Sequence, residues 1–344
     1  MTSLAHGTTR VVSFEGAGGP ETGLVHIPRR TAPASGHPVV VFGHMTTGAS
    51  PRSAPSLGTP QHPEWRRMSQ GDALCDALLA RGIAVLRPDY PGLGSPGEHP
   101  YLLGRRLGDS LRAMMRDRRR IDESLGDDWV AAGHSEGAVA ALSASVQAEP
   151  DDDARLRGTA AFAPVTRMDL SIRWSKALPG WMPGTGVVSA LIGLMLRGAA
   201  TDDERMQELI AADGLSPAAQ DRWGDLARLC LTELSAADSW GGIAPRRIGG
   251  ASGAELFGRL YTSFRANDVA ALRGFRTPVR IDAALFDEVA PAASTAGLMR
   301  GYRRAGVALT SRWWPSHHSG TMRAAYAPSE AADWIAGRFG VAER

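Results

Sequence analysis

The sequence is poor in several residue types, and each shortage disfavours a class of protein. Only two of its 344 residues are cysteine, Cys75 and Cys230. Both lie in apolar segments of helical character, which favours buried free thiols over a disulfide bridge. Lys176 is the only lysine, the net charge is +2, and charges of both signs are mixed along the chain. A nucleic-acid partner is therefore not expected.

Long apolar runs are also missing. The most apolar stretch, residues 186–196, is too short to cross a bilayer, which predicts that there is no integral membrane segment. Residues 1–19 lack a basic start followed by an apolar core, so they show no export signal. These shortages together predict a soluble cytoplasmic protein.

The patterns of metal and nucleotide sites are missing too. The nine histidines form no ligand spacing with carboxylates or cysteines, and no glycine-rich phosphate loop follows a predicted strand. We therefore expect no metal and no cofactor. The chain does have 43% apolar residues, enough to bury a large core as one sizeable domain or as one domain with an insertion.

One short motif stands out against this background. An apolar run that begins at Trp129 ends in a turn with a serine at its apex, and small apolar residues follow at helical spacing. The motif reads Gly133-His134-Ser135-Glu136-Gly137. A strand, a sharp turn and a helix in this order form a nucleophile elbow, in which small neighbours leave room for a strained serine. We interpret Ser135 as a nucleophile, and the alternative is a tight structural turn.

Apolar runs and helical patterns alternate along the first half of the chain. Runs typical of buried strands cover residues 38–42 and 83–86, and helices are predicted for residues 65–80 and 101–121. Such alternation predicts an α/β fold, with a mostly parallel central sheet that is flanked by helices and joined by right-handed crossovers.

The alternation stops at about residue 165. Residues 165–276 are mostly helical with no confident strand, and strands resume at residues 278–286 and 307–314. We interpret the helical segment as a cap over the carboxyl edge of the sheet. The predicted organisation is a first part of the core in residues 1–164, a helical cap insertion in residues 165–276 and a second part of the core in residues 277–344.

A serine hydroxyl needs a base and a carboxylate to become a nucleophile, and the resumed sheet offers both. Asp287 follows one predicted strand and His318 follows the next. Ser135, Asp287 and His318 thus each lie just past the carboxyl end of a strand, in the chain order of α/β-hydrolases. This predicts an α/β-hydrolase fold with these three residues as the catalytic triad.

Neighbouring residues compete for two of these roles. His317 is an alternative base, and we favour His318 because the glycine two positions later resembles the usual histidine loop. Glu288 is an alternative to Asp287 as the orienting carboxylate. Asp282 is a weaker alternative because it falls inside the predicted strand. An aspartate after a strand is also a common helix cap.

An oxyanion hole needs two backbone N–H donors. We expect Glu136, the residue after the nucleophile, to supply one of them. We expect the loop after the strand at residues 38–42, around Met45 or Thr46, to supply the other. The alternative interpretation of this loop is an ordinary turn that hydrogen-bonds to itself.

Several segments of the chain are similar to those of one known family. They are the first loop, Gly43-His44-Met45-Thr46-Thr47-Gly48, with Ala54-Pro55-Ser56, the Ser135 elbow, Asp89-Tyr90-Pro91-Gly92-Leu93-Gly94, His99-Pro100-Tyr101-Leu102 and the loop from Asp287 to Pro291. These segments resemble the secretory triacylglycerol lipases of actinobacteria and yeasts, in which the first loop reads His-Gly-Thr-Thr-Gly and is followed by Ala-Pro-Ser. The resemblance implies an α/β-hydrolase fold, a Ser135-Asp287-His318 triad, Thr46 as the first-loop oxyanion donor, and esters with acyl chains as substrates.

The chain departs from that family at three points. Met45 takes the place of a glycine, which narrows the acyl pocket or alters the oxyanion hole. Glu136 takes the place of a glutamine and puts a carboxylate near a site of developing negative charge, unless its side chain points away. The export signal is missing, so we expect an intracellular esterase of a biosynthetic pathway rather than secreted fat digestion.

The resulting hypothesis is a serine ester hydrolase that acts on a small-molecule ester through an acyl-enzyme on Ser135. Two alternatives stay open. One is an intracellular acyltransferase or cyclising, thioesterase-like enzyme with the same triad, and the other is a non-catalytic binding protein on a hydrolase scaffold. Four side chains are candidates for the substrate pocket, although packing between helices is favoured for the three in the cap: Met45, Trp174, Trp181 and Met182.

Overall fold

Eight strands form one sheet in the computed structural model, which describes residues 4–149, 153–177, 182 and 184–341. The strands are β1 (Gly7–Gly16), β2 (Gly19–Pro28), β3 (His37–Gly43), β4 (Ala84–Pro88), β5 (Leu125–His134), β6 (Arg155–Phe162), β7 (Val279–Ala284) and β8 (Leu309–Trp314). Their order in the sheet is β1-β2-β4-β3-β5-β6-β7-β8. β2 is antiparallel to β1 and β4, and every other neighbouring pair is parallel. The predicted mostly parallel sheet is confirmed.

Helices connect the strands and cover the sheet. They are α1 (Trp65–Met68), α2 (Asp72–Ala80), α3 (Gly104–Arg116), α4 (Arg118–Ile121), α5 (Glu136–Gln147), α6 (Met168–Ser175), α7 (Thr185–Ala200), α8 (Glu204–Ala211), α9 (Pro217–Asp221), α10 (Leu231–Leu234), α11 (Gly253–Ala266), α12 (Ala292–Arg304) and α13 (Ala327–Arg338). Among the described residues, no helix combines the length and the apolar character that crossing a membrane requires.

Successive side chains of the central strand β3 point to opposite faces of the sheet. Val39 and Val41 belong to an apolar cluster with residues of α3 and α5, whereas Val40 and Phe42 belong to a cluster with residues of α2 and α13. All four side chains are buried, which is why this strand is a continuous apolar run in the sequence. Both faces of the sheet are therefore covered by helices.

The helix predicted for residues 65–80 is interrupted in the structure. It is split into α1 and α2, and the interruption includes Gly71. Gly71 lies so close to the sheet that a Cβ atom there would be 2.5 Å from a ring carbon of Phe42. The helix therefore breaks where the chain contacts the sheet. A local sequence pattern does not reveal such a contact.

The helix predicted for residues 101–121 begins later than expected and is also divided. It begins at Gly104 and is interrupted at Asp117, between α3 and α4. Leu102 has a φ of 60°, a conformation that a right-handed helix does not contain. Tyr101 and Leu102 consequently belong to the loop before α3, where they are buried.

The described residues between 165 and 276 form helices α6 to α11 and short turns, with no strand among them. At the centre of this segment, Gly193 of α7 lies so close to Trp240 that a Cβ atom would be 2.8 Å from its ring. Apolar residues of α7, α8 and α11 form one cluster with Ala138 and Val139 of α5. The predicted cap is thus packed against the helix that follows the elbow.

The same segment also contacts the loop that follows β3. The Leu231 N–H donates to the Thr47 carbonyl at 2.9 Å, and Gly48 forms an isolated β-bridge with Cys230. These contacts bring α10 against the carboxyl edge of the sheet, where the candidate site lies.

Candidate active site

Ser135 lies at the apex of a sharp turn between β5 and α5, as the motif predicts. Its φ and ψ are 58° and −113°, a strained conformation that costs about 1–3 kcal/mol. Two glycines permit the turn. A Cβ atom at Gly133 would be 2.0 Å from the Gly137 carbonyl oxygen, and one at Gly137 would be 1.9 Å from the Gly43 carbonyl oxygen. The elbow is therefore packed directly onto the end of β3.

The structure brings Ser135, His318 and Asp287 together. The Nε2 atom of His318 is 2.8 Å from Ser135 Oγ, and its Nδ1 atom is 2.9 Å from both carboxylate oxygens of Asp287. Because an ionised carboxylate only accepts hydrogen bonds, Nδ1 carries the proton and Nε2 is free to accept the serine O–H. This arrangement can take a proton from the hydroxyl.

Pairing between the two last strands continues beyond their ends and positions Asp287 and His318. The N–H groups of Leu285 and Phe286 donate to the carbonyl oxygens of Trp314 and Ser316 at 2.9 and 3.0 Å. The next residue, Asp287, is thereby held beside the loop that carries the histidine. Adjacent parallel strands thus place two residues that are far apart in the chain at one edge of the sheet.

The loop around Asp287 orients both members of this pair. Asp287 Oδ1 accepts hydrogen bonds from the N–H groups of Val289 at 2.9 Å and Ala290 at 2.6 Å. Glu288 Oε2 accepts one from the His318 N–H at 3.0 Å. Glu288, the predicted alternative orienter, therefore contacts the backbone of the histidine rather than its ring.

His134, the residue before Ser135, contacts His318. Its Nε2 donates to the His318 carbonyl oxygen at 3.3 Å, and the two ring centroids are 5.1 Å apart. Burial, reinforced by the neighbouring His318, holds the pKa of His134 well below its usual range. An uncharged His134 leaves His318 free to accept a proton.

The other candidates lie outside this constellation. His317 Nε2 lies 3.4 Å from an Arg323 nitrogen. Asp282 forms a buried bidentate ion pair with Arg280 and also accepts a hydrogen bond from Trp314 Nε1. The geometry therefore favours His318 over His317 and Asp287 over Asp282.

The loop after β3 is held by buried polar contacts. His44 Nδ1 is 2.7 Å from the Met45 carbonyl oxygen, and burial lowers the pKa of His44 to about 4. Asp89 Oδ1 accepts the Ser56 N–H at 2.9 Å, and burial raises the pKa of Asp89. The first contact lies within the loop, and the second fastens Ser56 to the residue that follows β4.

Thr46 and Glu136 are the predicted oxyanion donors, and both are buried beside the elbow. Thr46 Oγ1 is 2.9 Å from the Tyr101 hydroxyl oxygen. Within the described part of the chain, no backbone acceptor takes the N–H of either residue. The Glu136 N–H also lies at the amino end of α5, where the helix dipole favours negative charge.

The Glu136 carboxylate points toward a histidine. Its Oε1 atom is 2.8 Å from His99 Nε2, and both side chains are buried. The sequence pattern leaves the direction of this side chain open. The structure pairs it with an imidazole in the loop before α3.

The predicted substrate-lining residues have different environments. Met45 is buried, whereas Trp174 is 76% exposed and Met182 is 37% exposed. Trp181 lies outside the described residues. A role in lining the pocket stays a prediction for all four of them.

Comparison with known proteins identifies the family. Residues 68–343 match the family described as Secretory lipase. The chain belongs to the secretory lipase family. The predicted resemblance is confirmed, and membership of this family supports an ester hydrolase. No curated protein sequence matches the chain.

Solved structures of lipases and esterases share the fold. Lipase A of Candida antarctica superposes with a TM-score of 0.74 at 15% identity, covering 98% of this chain and 78% of the lipase. The rice cell wall degrading esterase LipA of Xanthomonas oryzae superposes with a TM-score of 0.67 at 17% identity, covering 98% of this chain and 89% of the esterase. The predicted α/β-hydrolase fold is confirmed.

For two residues of this secretory lipase family member, the sequence predicts no role that matches their position. His99 lies in a segment that resembles the family, and this is the only signal for it in the sequence. Its pairing with Glu136 arises only in three dimensions. Glu288 is predicted only as an alternative to Asp287. Among the described residues, no group of three or more His, Cys, Asp or Glu side chains could hold a metal ion.

Proposed function

We propose that the protein is a serine ester hydrolase with Ser135 as its nucleophile. The observation that carries the proposal is the continuous chain of contacts from the Asp287 carboxylate through the His318 ring to the Ser135 hydroxyl, at 2.9 and 2.8 Å. Family membership supports an ester as the bond that is cleaved.

In the first half-reaction, Ser135 Oγ attacks the acyl carbonyl carbon while its proton moves to His318 Nε2. The carbonyl oxygen becomes an oxyanion, which accepts hydrogen bonds from the N–H groups of Thr46 and Glu136. Asp287 stabilises the imidazolium without taking its proton. The tetrahedral intermediate then expels the alcohol, which takes the proton from Nε2, and an acyl-enzyme is left.

In the second half-reaction, water replaces the alcohol. His318 Nε2 takes a proton from the water as its oxygen attacks the acyl carbon, and the same two N–H groups bind the second oxyanion. The bond to Ser135 Oγ breaks, and the proton returns to the serine. The acid is released and the resting enzyme is restored.

The burial of Ser135 bears on the acyl acceptor. Ser135 and His318 are only 5% and 3% exposed, so little water reaches the hydroxyl in this structure. A buried acyl-enzyme is less accessible to water than an exposed one. This observation favours acyl transfer to an alcohol or amine as the second candidate function.

Labelling of the nucleophile tests the main proposal. A fluorophosphonate should form an adduct on Ser135, and ester turnover should vanish in Ser135→Ala. Labelling elsewhere with Ser135 unmodified, or full turnover in Ser135→Ala, would refute the proposal.

Product analysis separates the two functions. The enzyme is given an activated ester with and without a candidate alcohol or amine. A hydrolase releases free acid at the same rate in both mixtures, whereas a transferase releases little free acid when the acceptor is present.

A further inference from the structure

A second buried histidine–carboxylate pair lies directly behind the nucleophile. His99 Nε2 and Glu136 Oε1 are 2.8 Å apart, and the side chains are 0% and 1% exposed. The proposed mechanism uses the backbone N–H of Glu136 but neither its carboxylate nor His99. A buried carboxylate beside an oxyanion hole opposes the negative charge that develops there. Its presence at this position therefore needs a physical explanation.

The far nitrogen of the His99 ring constrains how the pair is protonated. Nδ1 lies 3.2 Å from the Pro91 carbonyl oxygen, which can only accept a hydrogen bond, and we therefore assign Nδ1 the role of donor. One further proton lies between Nε2 and Glu136 Oε1. The pair is therefore either imidazolium with carboxylate or imidazole with carboxylic acid. Its net charge is zero in both cases.

A third arrangement, neutral His99 with its proton on Nε2 beside an ionised Glu136, is unfavourable. The Nδ1 lone pair would then face the lone pairs of the Pro91 carbonyl oxygen, and Glu136 would carry a full uncompensated charge in the interior. The second oxygen of Glu136, Oε2, has no hydrogen-bond partner among the described residues. His99 is thus the group that compensates this carboxylate.

The segment that contains His99 also holds the other proposed oxyanion donor. The Tyr101 hydroxyl oxygen is 2.9 Å from Thr46 Oγ1. The His99 ring lies between Tyr90 and Tyr101, with centroid separations of 5.9 and 6.0 Å. Two side chains of one short segment therefore contact the side chains of Thr46 and Glu136, the two residues whose N–H groups face the oxyanion in the proposed mechanism.

We propose that His99 is a positioning residue that neutralises the Glu136 carboxylate and, together with Tyr101, holds the two oxyanion donors in place. The inference rests on the proposed ester hydrolase function. It explains how the chain accommodates a glutamate at the position where the family resemblance implies an uncharged glutamine.

A double-mutant cycle tests the charge. In His99→Gln, Glu136 loses its compensating partner, and kcat for a short-chain ester should fall at least about tenfold while KM changes less than about threefold. In a Glu136→Gln background no carboxylate is left to neutralise. The same His99→Gln substitution should there cost less than about threefold in kcat. An equal loss in both backgrounds would overturn the neutralising role.

His37→Gln is the matched control. His37 is also buried and its Nδ1 also faces a backbone carbonyl, that of Gly82 at 2.9 Å, but it lies at the opposite end of β3. Its substitution should change kcat less than about threefold. Ser135→Ala is measured in parallel. If wild-type turnover survives in Ser135→Ala, the hydrolase proposal fails; if turnover requires Ser135 but the cycle shows no coupling, only this inference fails.

A measurement on the wild-type protein covers the case in which His99→Gln does not fold, as judged by its circular dichroism melt. NMR with isotope-labelled histidine nitrogens reports the protonation of each ring atom. The His99 Nδ1 atom should carry a proton at every pH at which the ester is turned over. A bare Nδ1 at the pH of maximal turnover would overturn the inference.

Discussion

Two buried histidine–carboxylate pairs flank Ser135, and they differ in what the far nitrogen of each ring contacts. The nitrogen–oxygen distances are nearly equal, at 2.9 Å for His318 and 2.8 Å for His99. His318 directs its other nitrogen at the Ser135 hydroxyl, whereas His99 directs its own at the Pro91 carbonyl oxygen. A hydroxyl can give up a proton and a carbonyl oxygen cannot. Only the first ring is therefore arranged to act as a base.

The carboxylates of the two pairs differ as well. Asp287 accepts two backbone N–H groups, from Val289 and Ala290, which orient it toward the ring. Glu136 Oε2 accepts none among the described residues. We infer from this comparison that the surroundings of such a pair, rather than its composition, decide whether it moves a proton or neutralises a charge.

Replacement of His318, the proposed base, should have the largest effect on kcat and directly tests the difference between the two pairs. His318→Gln should lower kcat about 10⁵-fold, because an amide cannot take the serine proton. The control is His317→Gln, one position earlier, which should change kcat less than about threefold. Steady-state ester hydrolysis measures both. The opposite pattern would assign the base role to His317.

Substitution of the orienting acid should have the next largest effect. In Asp287→Asn an amide N–H faces His318 Nδ1 and favours the tautomer with the proton on Nε2, so kcat should fall about 10⁴-fold. The melting temperature of the variant, followed by circular dichroism, controls for misfolding. A folded variant with less than about a tenfold loss would show that Asp287 does not set the tautomer.

Glu288→Gln should have a smaller effect than the His99 substitution. The amide oxygen can still accept the His318 N–H, but the hydrogen bond loses its charge, so kcat should fall about threefold. The measurement is again steady-state ester hydrolysis. A loss as large as that of Asp287→Asn would instead make Glu288 the orienting carboxylate.

Glu21 is another buried carboxyl, one that accepts a hydrogen bond from the Ser110 hydroxyl rather than from an imidazole. Burial raises its pKa from 4.5 to about 7. The folded state therefore binds this proton more tightly than the unfolded chain does. Accordingly, this contribution to the free energy of unfolding is present below pH 4.5 and is lost as the pH rises to about 7.

Glu21→Gln should abolish this pH-dependent decrease in the free energy of unfolding, which amounts to about 3 kcal/mol at most. Ester turnover should stay nearly unchanged. Urea unfolding at a series of pH values measures the effect. Glu15→Gln, on the exposed face of β1, is the control and should keep the wild-type dependence. An unchanged pH dependence in Glu21→Gln would show that Glu21 is not the responsible group.

Much of the site could be predicted because its signals are local. The elbow around Ser135 is a five-residue pattern, and the positions of Asp287 and His318 follow from where predicted strands end. Parallel strands place those ends at one edge of the sheet. The choice of His318 over His317 also agrees with the geometry.

Other features could not be predicted because they depend on contacts between distant segments. The interruption at Gly71 lies against Phe42 of β3, and the late start of α3 follows from the left-handed conformation of Leu102. The pairing of His99 with Glu136 spans 37 positions in the chain. Short-range periodicity contains no information about such contacts.

The sequence by itself determined the α/β architecture, the serine turn and the order of the candidate triad, because each depends on the pattern of neighbouring residues. Only the tertiary structure decided which imidazole contacts the serine and where the Glu136 carboxylate is directed. Those outcomes depend on how strands and loops far apart in the chain pack against one another. The two roles that we propose for the histidine–carboxylate pairs depend on that packing.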